Sequence, residues 1–173
     1  MMIPTEQECY DLLGKQEMKE DLLNHTEKLF EVSLVLAEKL LSAGVQVNKG
    51  LVVAGSLLQN VGYTVEDDGF NHAKRGSVFL RKLGYGDVAD VVACHVYDKE
   101  MTPTTVEQKI LVAADSLVKN SKVVGLDKRF EGSKLKETKP DFFSEKLEFN
   151  KRILAEILAQ AGMSEEDLIA ELN

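Results

Sequence analysis

Between residues 24 and 44 the chain reads NHTEKLFEVSLVLAEKLLSAG, and its apolar residues Leu29, Val32, Leu36 and Leu40 recur at steps of three and four. That spacing lines one face of an α-helix. Asn24 is placed to cap its start and Gly44 to stop it. His25, four residues before Leu29, falls on the same buried side. Thr5 with Glu8 makes a capping box for a shorter first helix that stops near Gly14. Asn48 caps a third helix, KGLVVAGSLLQNVG, which is apolar almost all round and so is predicted to be central. After the polar loop YTVEDDGF the pattern predicts helices over about 71–83 and 86–97. Pro103 and Thr104, with Glu107 three residues on, open another through TVEQKILVAADSLVKN. Residues 121–139 are charged and read as a loop with some helix. A long amphipathic helix follows Pro140, and SEEDLIAEL, capped by Ser164, closes the chain.

Alternating strand patterns are nearly absent, and neither an internal repeat nor a low-complexity linker interrupts the series. The expectation is an all-α, single-domain helical bundle over residues 1–173. Its C-terminal helices, about 140–172, pack on the rest through Phe142, Phe143, Leu147, Ile153, Ile157 and Leu158. The same face could serve a homodimer contact.

Composition narrows the function. Apolar residues make up 44% of the 173, as a packed globular chain requires. The net charge of −8 argues against a general binder of nucleic acid or of membrane surfaces, which needs a basic face. Two cysteines, Cys9 and Cys94, are too few for a disulfide framework or a cysteine zinc site, and Cys94 reads as a core residue. The N-terminus lacks the basic-then-apolar pattern of a signal peptide, and no apolar run approaches the roughly 18 residues of a spanning helix. The expectation is a cytoplasmic protein with no nucleic-acid and no membrane partner.

The candidate chemistry is sparse. There are three histidines, His25, His72 and His95, each at the edge of an apolar helix. Asp115 lies inside the apolar stretch ILVAADSLV, where a carboxylate needs a cation, a metal or strong donors. These four could meet at one point of a bundle. Each also has an ordinary explanation. A histidine on an apolar helical face is more often a hydrogen-bonded core residue than a ligand, and Asp115 could bond backbone amides. Gln59 and Asn60, before Gly62, make a plausible helix C-terminal turn. Lys74 and Arg75 could reach a phosphate or simply be solvated.

The order of these residues resembles that of the HD-domain superfamily of metal-dependent phosphohydrolases, in particular its small HDIG-type members. The resemblance runs over about residues 24–120. It rests on a first His opening a long helix (NHTEKLFEVSLVLAEKL), a His after a loop (NHAKRGSVFLRKLG), a His ending a helix (VADVVACHV) and an Asp in an AAD helix (TTVEQKILVAADSLV). Where that family has its His-Asp pair, this chain has Gln59 and Asn60, and Tyr63 stands where many members carry Lys or Arg. The resemblance implies a bundle of the HD type with a degenerate centre, and leaves enzymatic activity uncertain. His25, His72, His95 and Asp115 would be the remaining metal ligands, for one divalent ion among Mn, Fe, Ni, Zn and Mg. Tyr63, Lys74 and Arg75 would face the substrate. A neutral amide oxygen is a poor ligand for such ions, so the expected protein is weak or inactive, and binds a nucleotide or another small phosphorylated ligand. The alternative is an active phosphohydrolase of phosphomonoesters or phosphodiesters with a reduced metal site. Natural divergence and deliberate inactivation would both leave such a pair of amides.

Overall fold

A computed structural model describes residues 2–67, 69–131 and 139–173. Among them run nine α-helices: α1 (Glu6–Lys15), α2 (Glu20–Ser42), α3 (Lys49–Leu58), α4 (His72–Lys82), α5 (Gly86–Ala93), α6 (Val106–Leu117), α7 (Leu126–Phe130), α8 (Pro140–Ala161) and α9 (Glu165–Leu172). A 3-10 turn, Val61–Tyr63, joins α3 towards α4, and a two-stranded antiparallel hairpin, β1 (Val118–Lys119) and β2 (Lys122–Val123), joins α6 towards α7. The all-α reading holds at this level. No described helix is long and apolar enough to cross a membrane.

Local chemistry explains most of the helix ends. Thr5 and Glu8 form the reciprocal capping box of α1, Asn48 accepts the Leu51 amide at the head of α3, and Ser164 pairs reciprocally with Asp167 at the head of α9. Pro140 occupies the first turn of α8, where its missing N–H is not needed. Gly162 ends that helix in the left-handed conformation at φ 66°.

Other ends differ from expectation. Helix α2 begins at Glu20, a turn before Asn24, and its N-cap Lys19 makes no side-chain cap bond. Helix α5 ends at Ala93, so His95 stands just beyond it. The cap of α6 is Thr105 with Gln108 rather than Thr104 with Glu107. Helix α6 stops at Leu117 instead of running to Asn120, because Asn120 takes a left-handed φ of 57° and turns the chain into the hairpin. The loop expected over 121–139 therefore contains β2 and α7, while its residues 132–138 lie outside the described residues.

Two apolar cores share α3. One gathers Leu29, Val32, Leu36 and Leu40 of α2 with α6, the hairpin, α8 and α9. The other gathers α1, α4 and α5 around Ala54, Leu57 and Leu58 of α3. Val52 of α3 belongs to the first core, so α3 buries opposite faces in different cores, which is why it is apolar all round. The C-terminal helices pack on the first core through Leu154, Ile157, Leu158 and Leu168. Tyr97 adds ring contacts to Phe142 and Phe149 of α8, each at 5.3 Å.

Gly62 does not end a helix. It lies in the 3-10 turn because that turn presses on the start of α4. A Cβ at Gly62 would sit 1.8 Å from the His72 carbonyl oxygen and 2.7 Å from the Gly76 amide nitrogen. Gly14, inside α1, has nothing within 4 Å of such a Cβ. Replacing Gly62 by Ala should therefore destabilise the protein by about 1–3 kcal/mol, since backbone must move. Gly14→Ala should be neutral or stabilise it by up to about 1 kcal/mol. Urea denaturation of the two variants beside the wild type checks both. Equal midpoints for Gly62→Ala and wild type would contradict the contact.

Candidate functional site

A cavity of about 620 Å³ opens between the two cores. Its walls come from the end of α1, the first turns of α2, the 3-10 turn, the head of α4, the segment after α5, and α6, α7 and α8. Helix α2 carries His25 to it. The hairpin tip fixes that ring, for His25 Nδ1 donates to the Asn120 carbonyl at 2.9 Å. His25 Nε2 then faces Asp115 Oδ1 at 3.4 Å, an ion pair whenever the imidazole is protonated. Asp115 is also held from α7, where Arg129 Nε donates to its main-chain carbonyl at 3.1 Å and Arg129 Nη2 lies 3.7 Å from Oδ2.

His72 and His95 form a second pair, Nε2 to Nε2 at 2.9 Å. His95 Nδ1 lies 2.6 Å from the Val92 carbonyl, so it must carry the proton and donate. A neutral His95 then accepts at Nε2, and His72 must donate from its own Nε2. This network assigns both tautomers and leaves His72 Nδ1 as an acceptor. The other flank of His72 carries Tyr63, stacked at 4.1 Å between ring centroids with 17° between planes.

The electrostatics follow from burial. Burial, and then the neighbouring His95, push the His72 imidazolium down to about 3. Burial also lowers His95, against the opposing pull of Asp115 and the Val92 carbonyl. Burial alone would raise Asp115, but the His25 hydrogen bond and the Arg129 charge outweigh it and hold the carboxyl below the ordinary carboxylate range. At neutral pH the cavity thus presents two neutral imidazoles and one compensated carboxylate.

Of the residues expected at the site, His25, Asn60, Tyr63, His72, His95 and Asp115 do line this cavity. Gln59 does not line it. It is fully buried, and neither its amide nitrogen nor its oxygen finds a partner. Asn60 turns its Nδ2 to Thr26 Oγ1 at 3.2 Å. Lys74 and Arg75 are not part of the cavity wall. Lys74 lies over the Phe70 ring at 4.0 Å. The mostly buried Arg75 donates to the Gly62 carbonyl at 3.1 Å and pairs with Asp67 at 2.5 Å, so it braces the 3-10 turn. The cations that do line the cavity, Lys19, Arg129 and Lys146, carried no motif. Arg129 falls in the stretch read as a loop, and Lys146 lies on the long amphipathic helix after Pro140. Among the described residues, no group of three or more His, Cys, Asp or Glu side chains is set to hold a metal ion.

Comparison with known proteins returns relatives of a different kind. The chain is 32% identical over 136 residues to a tRNA (cytidine(56)-2'-O)-methyltransferase of Thermoplasma volcanium, covering 70% of this chain and 38% of that protein. It is 26% identical over 139 residues to the protein of the same name from Picrophilus torridus, covering 72% and 39%. An uncharacterized protein of Methanocaldococcus jannaschii is 27% identical over 135 residues, covering 68% of this chain and 79% of that one. The chain thus spans less than two-fifths of the length of the two methyltransferases it matches. No family model matches the chain, and no solved structure matches it.

These findings correct three expectations. The identification with HD-type phosphohydrolases is not upheld, since no family model supports it and the named relatives are methyltransferases of tRNA. The reading of a degenerate or reduced phosphohydrolase centre at Gln59 and Asn60 falls with it. The pattern behind it has a packing explanation, because the histidines and Asp115 satisfy one another and nearby carbonyls. The exclusion of a nucleic-acid partner also fails as an argument, for the relatives are named for tRNA. A net charge sums over a whole surface, while a binding site is local.

The neutral imidazoles set a pH dependence. Unfolded, His72 and His95 would take up protons near the ordinary value of 6.5, while folded they resist. The unfolded state therefore binds more protons below about pH 6.5, and stability falls as the pH drops through that range. Asp115, whose folded value is lowered, loses its contribution only at more acid pH, below its ordinary unfolded value of 3.8. Thermal melts at about pH 7.5 and pH 5 should show a lower midpoint at the acid value, with a smaller drop for His72→Gln. Equal drops in the two proteins would contradict the assignment.

Proposed function

We propose that this chain is a tRNA-directed helical module, related to a segment of the tRNA (cytidine(56)-2'-O)-methyltransferases, which engages RNA through the cavity between its cores. The observation that carries the reading is the match to the Thermoplasma volcanium enzyme across most of this chain. The match to most of the Methanocaldococcus jannaschii protein supports a unit that occurs in a shorter chain as well as within a longer one. Methyl transfer itself is not assigned to this chain, which corresponds to only part of the enzymes that bear that name. A role on tRNA would place the protein in the cytoplasm.

The charge distribution gives the reading a definite physical form. Three cations line the cavity, Lys19, Arg129 and Lys146, so few phosphates can be neutralised there. Filter binding of a tRNA transcript, with a DNA duplex of equal length as competitor, tests this. Saturable binding to tRNA at low salt is expected, weakly competed by the duplex. The slope of log affinity against log salt should be about −2 or shallower. Absence of saturable binding at low salt would refute the reading, and a much steeper slope would move the contact away from the cavity.

A further inference from the structure

Tyr63 is the most conspicuous aromatic group of the cavity. One face of its ring is covered by His72 at 4.1 Å. The residue is nevertheless 54% exposed, so the stack leaves much of its surface uncovered. A large aromatic side chain presented this way at a cavity wall is a stacking surface waiting for a flat partner. The partner on its covered side is a neutral imidazole, and His72 is in turn fixed by its hydrogen bond to His95. The platform is therefore braced from behind.

The cations stand in relation to this platform. Arg129 and Lys146 flank one ring, Phe130, with the guanidinium carbon 5.9 Å and Nζ 5.7 Å from its centroid. Both line the same cavity as Tyr63 and His72. Lys146 is near enough for its charge to act on His72, and Arg129 for its charge to act on Tyr63. Asp115, the carboxylate on that side, is already occupied by His25 and Arg129. The volume of about 620 Å³ lies within the range of sites that take a small molecule, and far below that of a duplex groove.

Resting on the tRNA reading, we infer that the cavity takes one unpaired nucleotide of a folded RNA, its base stacked on the uncovered surface of Tyr63 and its phosphate directed to Arg129 and Lys146. Sequence-specific contacts with RNA favour unstacked bases of loops and bulges, which can be splayed out onto aromatic rings. A single captured nucleotide also needs few phosphate contacts, which matches the three cations lining the cavity.

The test uses the full chain and two RNAs: a tRNA transcript, and a hairpin with 2-aminopurine in its loop. Tyr63→Ala should weaken binding of both by about tenfold or more, and Tyr63→Phe should restore it. Lys146→Ala should weaken binding and flatten the salt slope by about one phosphate. Fluorescence of the loop 2-aminopurine should change on binding to wild type and to Tyr63→Phe, but not on adding Tyr63→Ala. Tyr63 is exposed, and circular dichroism of the variant controls for folding. If tRNA binds equally well to wild type and Tyr63→Ala, this inference is overturned while the tRNA reading stands. If no RNA binds, both fall. If cytidine 5'-monophosphate binds at Tyr63 and RNA does not, the occupant is a free nucleotide and the inference is overturned.

Discussion

The cavity depends on one backbone contact, the approach of Gly62 to the first turn of α4. No side chain fits between them, since even a methyl group at Gly62 would overlap the His72 carbonyl. The approach is reinforced by Arg75, which reaches back from α4 to the Gly62 carbonyl. Its consequences run in order along the chain. The next residue, Tyr63, is laid against the His72 ring. His72, pinned at the head of α4 by the Asn71 cap, is brought within hydrogen-bond reach of His95 beyond α5. A glycine contact thus sets the geometry of three aromatic side chains, none of which is adjacent to another in sequence.

The polar groups behind the cavity follow a second constraint, that buried donors and acceptors must find partners. His95 donates to Val92, accepts from His72, and leaves no nitrogen unused. Asp115 is compensated from two directions, by a histidine on α2 and by an arginine on α7. Gln59 is an exception, as is the Ser33 hydroxyl on α2. The Gln59 amide is buried without partners, a condition that typically costs about 1–3 kcal/mol. The end of α3 therefore carries an unsatisfied amide beside well-paired neighbours.

How much of this could be read in the sequence depends on the range of the interactions. The apolar face of α2, the Thr5, Asn48 and Ser164 caps and the Pro140 start are local, and they appear in the structure as the residue order implies. The early start of α2 was hidden because Lys19 caps without its side chain. The hairpin was hidden because Asn120, a residue equally at home in a helix end, turns left-handed instead. The convergence of His25, His72, His95 and Asp115 was legible, because each stands on or just past the end of an apolar helix and those helices must pack together. The order of residues suggested metal ligands; in the structure the four stand as two pairs, His72 with His95 and His25 with Asp115. Lys146 was invisible because a cation on an amphipathic helix looks the same whether it meets solvent or a cavity, and Arg129 because it lies in a charged stretch read as a loop.

The sharing of α3 between two cores has a mechanical meaning. The cavity lies on the seam, with Tyr63 and His72 carried by the α3–α4 side and Asp115, Arg129 and Lys146 by the α6–α8 side. Anything held there grips both halves at once. Occupancy would then act as a rivet across the seam, slowing the local openings in which the halves part and protecting backbone amides on both sides from exchange with solvent.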